Sequence, residues 1–365
     1  MRLFLAVACA LSILAAAPQR KKKEEQTQTL QLPRELPGAV VGETRRLTFH
    51  VTALSAKGLL SQQIRDALKA VTREAGNETV LHIRAFAAGS GDLRRVRDLV
   101  SEYFTERKQP LPSLSLIQSG GLPLEGAQVV FEFIASGRKE LHPFGLVFLS
   151  PQPAYSENPL DPIPPLTTKA LAGLRQTLKA SGSDPADVLR VSCFFSSLEN
   201  VAASHQQVQA EFPKAMVNFV QTERAPSRAV AACEAVASLK WNTGTPLHML
   251  NAEGIHVEAG ESQAALVAAP QVVLTGSQVS FGYEEKDARL ALDRLKRALD
   301  AAGASVHDVA YAHYYPLSLG IANQVRKIRA QFFDSARPPA GSLLVFESLP
   351  SMDAGFAVDV VAVKK

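Results

Sequence analysis

The stretch "RLKRALDAAGASVHDVAYAHYYPLS", at residues 294–318, decides the fold, because "GLRQTLKASGSDPADVLRVSCFFSS", at residues 173–197, aligns with it without a gap. In both stretches leucines recur at helical spacing and a glycine follows them, Gly303 or Gly182, as is common where a helix ends in a left-handed cap. An aspartate-containing turn comes next, and then a run of β-branched and aromatic residues, which predicts a strand. The chain therefore contains the same helix–turn–strand unit twice.

A weaker third copy precedes these two, with Gly76 at the predicted helix end in "ALKAVTREAGNETVLHIRAFAAG". In each copy a second amphipathic helix, a proline-containing turn and two strands follow, the last ending in "FEFIA", "CEAVA" or "VDVVA". Before the first helix, "ALVAAPQVVLTGSQVS" at residues 265–280 predicts an extended hairpin. Each copy is thus a ββαβαββ unit with two helices on one face of its sheet. Three such sheets packed around an axis would bury the apolar faces that the helices leave uncovered.

The N-terminus predicts export. Arg2 precedes an uncharged apolar stretch at residues 3–17, which is the layout of a secretory signal peptide and is too short to span a bilayer comfortably. We expect a secreted or periplasmic protein that does not contact a membrane once the signal is removed. The chain divides into a signal peptide (1–17), a flexible linker rich in charge, Gln, Thr and Pro (18–45), and three repeats (46–140, 141–245 and 246–365).

Composition and spacing exclude several other classes. The net charge is +4 over 365 residues, so no strong basic signal for nucleic acid is present. The eight histidines lack metal-ligand spacing, and we expect neither a metal nor a cofactor. Cys193 and Cys233 would remain after export. They could pair in an oxidising compartment or stay as buried free thiols, and the sequence leaves both alternatives open.

The repeated pattern resembles the RidA/YjgF family, also labelled L-PSP endoribonuclease-like, over roughly residues 46–365. The resemblance is strongest in "SQAALVAAPQVVLTGSQVS" and "LALDRLKRALDAAGASVHDV" of the last repeat. Family members are usually homotrimers of one such unit. The resemblance therefore implies an α+β chain of three tandem RidA-like, chorismate-mutase-like domains. We expect a monomer that forms an intramolecular pseudo-trimer.

The resemblance also implies a chemistry. Active family members hydrolyse 2-imino or enamino acids to 2-keto acids and ammonia in clefts between subunits. An arginine in a Pro-Ala-Arg motif holds the substrate carboxylate through two parallel hydrogen bonds. Carried onto this sequence, the arginine position falls on Leu114, Lys214 and Gly341. Lys214 is therefore the one candidate anchor for a small carboxylate.

A glutamate on the last strand, which positions water and protons in the family, falls on Val130, Ala232 and Ala357. Two residues further along each strand, all three repeats carry an acid, which we interpret as structural: Glu132, Glu234 and Asp359. The family's Ser-Gly-Gln at the opening hairpin is approached by Gly276, Ser277 and Gln278, with Ser and Gly exchanged.

The predicted substrate-binding residues are thus Lys214, Gly276, Ser277 and Gln278, and no catalytic residue is predicted. Three functions stay open. The first is a RidA-like deaminase or related small-carboxylate hydrolase with a degenerate site. The second is a non-catalytic module that binds a small ligand or a partner. The third is an endoribonuclease, which the sequence disfavours because export removes the usual RNA substrate and no basic-aromatic face is visible.

Overall fold

Three mixed β-sheets, each covered by two α-helices, form the fold of residues 34–89 and 91–364, which are the residues that the computed structural model describes. The α+β class is confirmed. The predicted signal peptide at residues 1–17 lies outside the described residues. Within the described part, no helix is both long enough and apolar enough to span a membrane.

The first repeat builds a four-stranded sheet, sheet 1. A strand that precedes the repeat, β1 (Ala39–Glu43), belongs to another sheet. The elements of the repeat are β2 (Leu47–Val51), α1 (Leu60–Ala75), β3 (Thr79–Ala87), α2 (Leu93–Glu106), β4 (Ser113–Gln118) and β5 (Val129–Ser136). Their order in the sheet is β2-β5-β3-β4, with β3 and β4 parallel. The two helices pack on one face around residues such as Ile64, Val96 and Phe131.

The middle repeat builds sheet 2 from β6 (Leu146–Leu149), β7 (Ala154–Ser156), α3 (Ile163–Ala180), β8 (Val188–Phe195), α4 (Val201–Glu211), β9 (Met216–Gln221) and β10 (Ala229–Ser238). Two later strands join it, β11 (Leu247–Leu250) and β12 (Ala264–Val267), in the order β11-β12-β6-β10-β8-β9, and β7 also pairs with β10. Cys193 on β8 lies opposite Cys233 on β10, and the two form a disulfide bond. The structure thus decides between the two alternatives for these cysteines.

The last repeat builds sheet 3 from β13 (Gln271–Thr275), β14 (Gln278–Phe281), α5 (Glu285–Ala302), β15 (Val309–Pro316), α6 (Leu319–Phe332), β16 (Ala340–Leu343) and β17 (Ala354–Val363). The order is β1-β13-β17-β15-β16, and β14 also pairs with β17. The three glycines predicted at helix ends do lie at the ends of α1, α3 and α5. Gly76, Gly182 and Gly303 have φ angles of 57°, 76° and 81°, which only glycine adopts without strain.

The extended hairpin predicted at residues 265–280 does not form. Its first strand, β12, pairs with β6 of sheet 2, whereas its second, β13, pairs with β1 and β17 of sheet 3. Without these partners β6 and β13 would be sheet edges with unpaired backbone groups. The prediction of a flexible linker at residues 18–45 is likewise wrong for Ala39–Glu43. This run, "AVVGE", forms strand β1 and pairs with β13.

The sheet faces that carry no helices are buried against one another. At one end of the shared interior lies an apolar layer that includes Phe49, Phe148 and Leu274. At the other end lies an aromatic layer that includes Phe86, Phe194, Tyr315 and Phe346. A polar layer separates the two, and it contains the acids shared by the three repeats.

Candidate functional site

Strand pairing gives a correspondence among the three sheets that does not depend on sequence alignment. The shared acids lie opposite three different residues, in the pairs Arg84–Glu132, Ser192–Glu234 and His313–Asp359. On their other side, the same three strands pair with the parallel strands β4, β9 and β16. There the residues opposite Arg84, Ser192 and His313 are Ser115, Asn218 and Ser342. Equivalent positions in the repeats follow directly from this register.

The register changes the residue assigned to the family's arginine position. The family's arginine would lie one residue before Ser115, Asn218 or Ser342. Those places are held by Leu114, Val217 and Gly341 respectively. Lys214 therefore does not occupy this position; it is an exposed residue in the turn before β9. The middle repeat has three residues between its proline and the strand position, where the other repeats have one. Counting from the proline thus selects the wrong residue, and none of the three positions carries a cation.

The family's glutamate positions lie in the aromatic layer. Val130, Ala232 and Ala357 are fully buried opposite Phe86, Phe194 and Tyr315 respectively. A carboxylate there would be desolvated without a partner, which costs several kcal/mol, on the order of the values known for buried charges. The neighbourhood of these positions is therefore built for packing and does not position water.

The shared acids form one buried hydrogen-bonded network. Glu132 accepts hydrogen bonds from Arg84 Nε at 2.9 Å, from Ser192 Oγ at 2.7 Å and from Asn218 Nδ2 at 2.7 Å. Arg84 Nη2 also reaches Glu132 Oε2 at 2.5 Å and Glu234 Oε1 at 2.6 Å. The guanidinium of sheet 1 thus binds acids of two sheets.

His313 connects the third sheet to this network. Its Nδ1 lies 2.7 Å from Asp359 Oδ1 and its Nε2 lies 3.3 Å from Glu234 Oε1. The hydroxyl of Tyr311 donates to Glu234 Oε2 at 3.1 Å. A cavity of about 20 Å³ adjoins these groups, which is room for about one water molecule and for no larger ligand.

The electrostatics of the network balance when His313 is protonated. Burial and the charge of Arg84 lower the pKa of His313, but Glu234 and Asp359 outweigh them, and the pKa is raised above its ordinary value. Burial would raise the pKa of Glu234, but Arg84 and His313 hold it well below its ordinary value. Three acids then face three cations, the third cation being Arg190, 3.6 Å from Glu132. A buried network of balanced charge supports the structural interpretation of the shared acids.

This arrangement predicts a stability maximum with two limbs. The stabilisation from protonated His313 is complete below about pH 6.5 and is lost as the pH rises through the raised pKa of the folded state. The stabilisation from Glu234 and Asp359 is lost as the pH falls through their lowered pKa values. His82, whose pKa burial lowers to about 4, adds to the acid limb because unfolding lets it bind a proton. We expect His313→Gln to flatten the alkaline limb in urea unfolding between pH 6 and pH 9.

The exposed His307→Gln is the control for this experiment, and it should leave the alkaline limb unchanged. An alkaline limb of equal slope in His313→Gln and the wild type would contradict the assignment.

The predicted residues Gly276, Ser277 and Gln278 do line a cleft. This cleft, cleft A, lies between sheets 1 and 3 and has a volume of about 560 Å³. One wall is Leu114 and Leu116 of β4, and the other is the bend between β13 and β14. Its further lining residues include the segment 35–38, Arg97 of α2 and Arg294 of α5.

The backbone at the bend is already engaged. Gly276 N donates to Gly38 O at 3.0 Å and Ser277 N donates to Leu114 O at 3.1 Å. A Cβ atom on Gly276 would lie 2.7 Å from Leu114 O, so only glycine allows the approach. The Ser277 amide joins sheet 3 to sheet 1, and the Gly276 amide binds the residue before β1 of sheet 3. Neither amide is available to stabilise an oxyanion.

Two arginines supply the positive charge of cleft A. Arg294 donates from Nη1 to Val279 O, and its guanidinium lies 5.1 Å from the centroid of the Phe281 ring. Arg97 is exposed on the wall formed by α2. Glu35 is an acid that also lines the cleft. Reasoning from the family motif misses both arginines because it searches the strands, whereas these residues lie on helices.

A counterpart of cleft A lies between sheets 2 and 3. Ala154 and Ser280 hold equivalent pairing positions, opposite Ala231 and Phe356. Residues 151–153 therefore stand where 277–279 stand in cleft A. Arg326 of α6 lines this counterpart. Arg97 and Arg326 hold equivalent places on their helices, because each lies seven positions before an aromatic residue near the helix end, Phe104 or Phe333.

Across residues 34–89 and 91–364, no group of three or more His, Cys, Asp or Glu side chains is placed to hold a metal ion.

Comparison with known proteins gives structural neighbours only. No family model and no curated protein matches the chain. A Rid-family protein of unknown function from Yersinia pestis is 20% identical and has a TM-score of 0.31. The match covers 33% of this chain and 99% of the Yersinia protein. A member of the YjgF/YER057c/UK114 family from Mycobacterium tuberculosis is 23% identical and has a TM-score of 0.24. This match covers 32% of this chain and 98% of the Mycobacterium protein. These solved structures are of the family that the sequence resembles, and each matches about a third of the chain.

Proposed function

We propose that the chain is an exported RidA-like protein whose three repeats form an intramolecular pseudo-trimer, and that it binds a small carboxylate in cleft A without hydrolysing it. One observation carries this proposal. Every position at which the family holds its arginine or its glutamate is uncharged here, while a cleft of about 560 Å³ with two arginines remains.

The loss of catalytic groups supports binding without turnover. Imine hydrolysis needs a group that delivers water and protons to the reacting carbon. The strand positions that would supply it lie in the aromatic layer, and the amides of Gly276 and Ser277 already donate to backbone carbonyls. Arg97 and Arg294 can hold a carboxylate, since guanidinium groups bind carboxylates through directed hydrogen bonds. The apolar wall of Leu114 and Leu116 suits the ligand's body.

The pairing scheme supports a pseudo-trimer. Each sheet contributes an equivalent pair to the buried network, and the junctions between sheets recur: β2 contacts β9, β13 contacts β4 and β16 contacts β6. In this arrangement a single chain buries the sheet faces that separate subunits would otherwise bury against one another, so we expect a monomer. The disulfide between Cys193 and Cys233 supports export, because such bonds persist in oxidising compartments.

The test combines turnover with binding. Purified protein is expected to release no ammonia above buffer from freshly generated 2-iminobutyrate. In a thermal-shift titration, 2-oxobutyrate should raise the melting temperature, and Arg97→Gln with Arg294→Gln should weaken this binding about tenfold or more. Arg73→Gln, an exposed arginine of α1 outside the cleft, should bind as the wild type does. Ammonia release by the wild type, or binding that survives loss of both cleft arginines, would refute the proposal.

A further inference from the structure

The outer edge of β2 is unpaired, whereas the equivalent edges of the other two sheets are covered. β2 pairs with β5 alone and is the first strand of sheet 1. The equivalent strands each have an additional antiparallel partner, because β12 lies beside β6 and β1 lies beside β13. Within residues 34–89 and 91–364, sheet 1 therefore lacks a strand that sheets 2 and 3 possess.

The order of elements along the chain explains this difference. β1 comes from the segment before β2, and β12 comes from the segment before β13. The segment before β6 is the loop at residues 137–145, which follows β5 directly and contains no strand. Leu141 N donates to Arg45 O at 2.7 Å and His142 Nε2 donates to Leu47 O at 2.9 Å. The loop thus covers the beginning of the β2 edge.

The equivalent positions in sheets 2 and 3 show what the rest of the edge can bind. By the pairing register Val51 is equivalent to Ser150 and Gly276. Ser150 N donates at 2.8 Å to the carbonyl of Gln263, which precedes β12. Gly276 N donates at 3.0 Å to the carbonyl of Gly38, which precedes β1. Both amides therefore bind the added strand of their sheet.

The amide of Val51 has the same orientation. Thr52 N donates to Phe131 O of β5 at 2.9 Å, and hydrogen-bonded pairs alternate along an antiparallel ladder. The backbone groups of Val51 and Phe49 therefore point away from β5. Across the part of the chain that the structure describes, no strand pairs with this side of β2. Such an edge is a template for pairing with another polypeptide.

The surface that an added strand would cover is also accessible. β1 contacts β3, and β12 contacts β15. Leu81 of β3 and Ala310 of β15 hold equivalent positions and are 6% and 0% exposed. Leu189, the equivalent residue of β8, is only partly buried. An apolar side chain is thus left partly uncovered next to the unpaired edge.

The two filled positions indicate which side chains fit. At the place opposite Leu47 or its equivalents, β1 carries Gly42 and β12 carries Val267. A Cβ atom on Gly42 would lie 2.6 Å from Leu81 Cδ1, whereas β15 has an alanine there. Because sheet 2 presents a leucine at this place, Leu189, we expect the occupant of the β2 edge to carry glycine, as β1 does. Two positions earlier, both added strands carry an apolar residue.

The charge at one end of the edge indicates how the occupant ends. An antiparallel occupant has its C-terminal end beside Leu47, where the loop at residues 137–145 prevents the strand from continuing. Glu140 is the only acid of that loop. Three exposed cations lie in the loop or beside it and form no ion pair within the described residues: Arg45, Arg138 and Lys139. A terminal carboxylate complements this charge.

We propose that the edge of β2 at Phe49–Val51 binds the C-terminal tail of another polypeptide as an added antiparallel strand. The tail carries an apolar residue opposite Phe49 and a terminal glycine opposite Leu47. Main-chain hydrogen bonds supply most of the affinity, and the apolar residue supplies specificity. This site goes beyond the function proposed for cleft A, and its failure would leave that function intact.

The probe is a peptide that copies residues 35–42, "ELPGAVVG", with fluorescein at its N-terminus and a free C-terminus. Its binding to the full chain is measured by fluorescence anisotropy. N-methylation at Val40, whose amide faces the partner strand in β1, should weaken binding about tenfold or more. N-methylation at Val41, whose amide points away, should change binding less than about twofold. A C-terminal amide should weaken binding about threefold, as expected for an exposed ion pair.

Variants of the chain locate the binding site. Val51→Pro removes the outward amide without removing a hydrogen bond to β5, as an edge strand tolerates, and should weaken peptide binding about tenfold or more. Val51→Ala keeps the amide and is the matched control. Far-ultraviolet circular dichroism and melting temperature establish that both variants are folded, and the comparison of N-methylated peptides needs no variant.

Several results would overturn the proposal. These are no saturable binding of the unmodified peptide at about 1 mM, equal binding of the two N-methylated peptides, equal binding of acid and amide, and binding that Val51→Pro leaves unchanged. A dimer in sedimentation equilibrium that Val51→Pro dissociates would overturn it as well, because a second copy of this chain would then occupy the edge.

Discussion

Replacement of Arg84 by methionine is expected to lower the free energy of unfolding by about 3–5 kcal/mol, the usual cost of removing one partner from a buried charge pair. The Arg84 side chain is only 2% exposed and binds Glu132 at 2.5 Å and Glu234 at 2.6 Å. Without it, the two carboxylates stay in the buried interior with Arg190 and His313 as the remaining cations. The repulsion between acids of sheets 1 and 2 would then act directly on the contact between those sheets.

Urea unfolding at pH 7 measures this effect. The exposed Arg73→Gln should change the unfolding free energy by less than about 0.5 kcal/mol. Adding Glu132→Gln and Glu234→Gln to the Arg84→Met variant should restore part of the loss, because the uncompensated charges are then removed. A loss below about 1 kcal/mol in Arg84→Met, or no recovery in the triple variant, would mean that the network does not hold the sheets together.

Removal of the disulfide by Cys193→Ala with Cys233→Ala should cost about 2–4 kcal/mol. The bond closes a loop of 40 residues, and that loop contains α4, β9 and the start of β10. Both cysteines are fully buried in the core between sheet 2 and its helices, so the two alanines also leave small cavities. Urea unfolding of wild type and variant gives the difference directly.

Thiol titration in denaturant provides the second readout for the disulfide. Protein recovered from the exported fraction should show no free thiol from these two positions. Titration of both thiols in such protein would contradict the bond and remove the support that it gives to export.

Sequence reasoning was most successful where the three repeats are alike. The glycines at 76, 182 and 303 mark helix ends because a positive φ angle leaves little choice of residue. The exchange of strands was not visible, since β12 and β13 both have strand-forming sequences and nothing local states which sheet each joins. Pairing of that kind is decided by tertiary contacts between distant segments.

The candidate site was harder to predict for a different reason. Counting from the proline assigns Lys214 to the family's arginine position. The middle repeat has two additional residues after that proline, so the strand register places Val217 there instead. The acids of the network were visible as a shared feature, but their partners were not. Arg84, Ser192 and His313 hold equivalent positions with three different side chains, and a search for repetition cannot detect a site that depends on difference.

The pairing of β1 with β13 also bears on how the first repeat is joined to the third. The polypeptide runs directly from the first repeat to the second and from the second to the third. β1 adds a connection that the order of the repeats does not supply, because it leads directly into sheet 1 and is hydrogen-bonded into sheet 3. A recombinant boundary drawn at residue 46, where the repeat pattern begins in the sequence, would remove β1 and leave β13 without this strand partner.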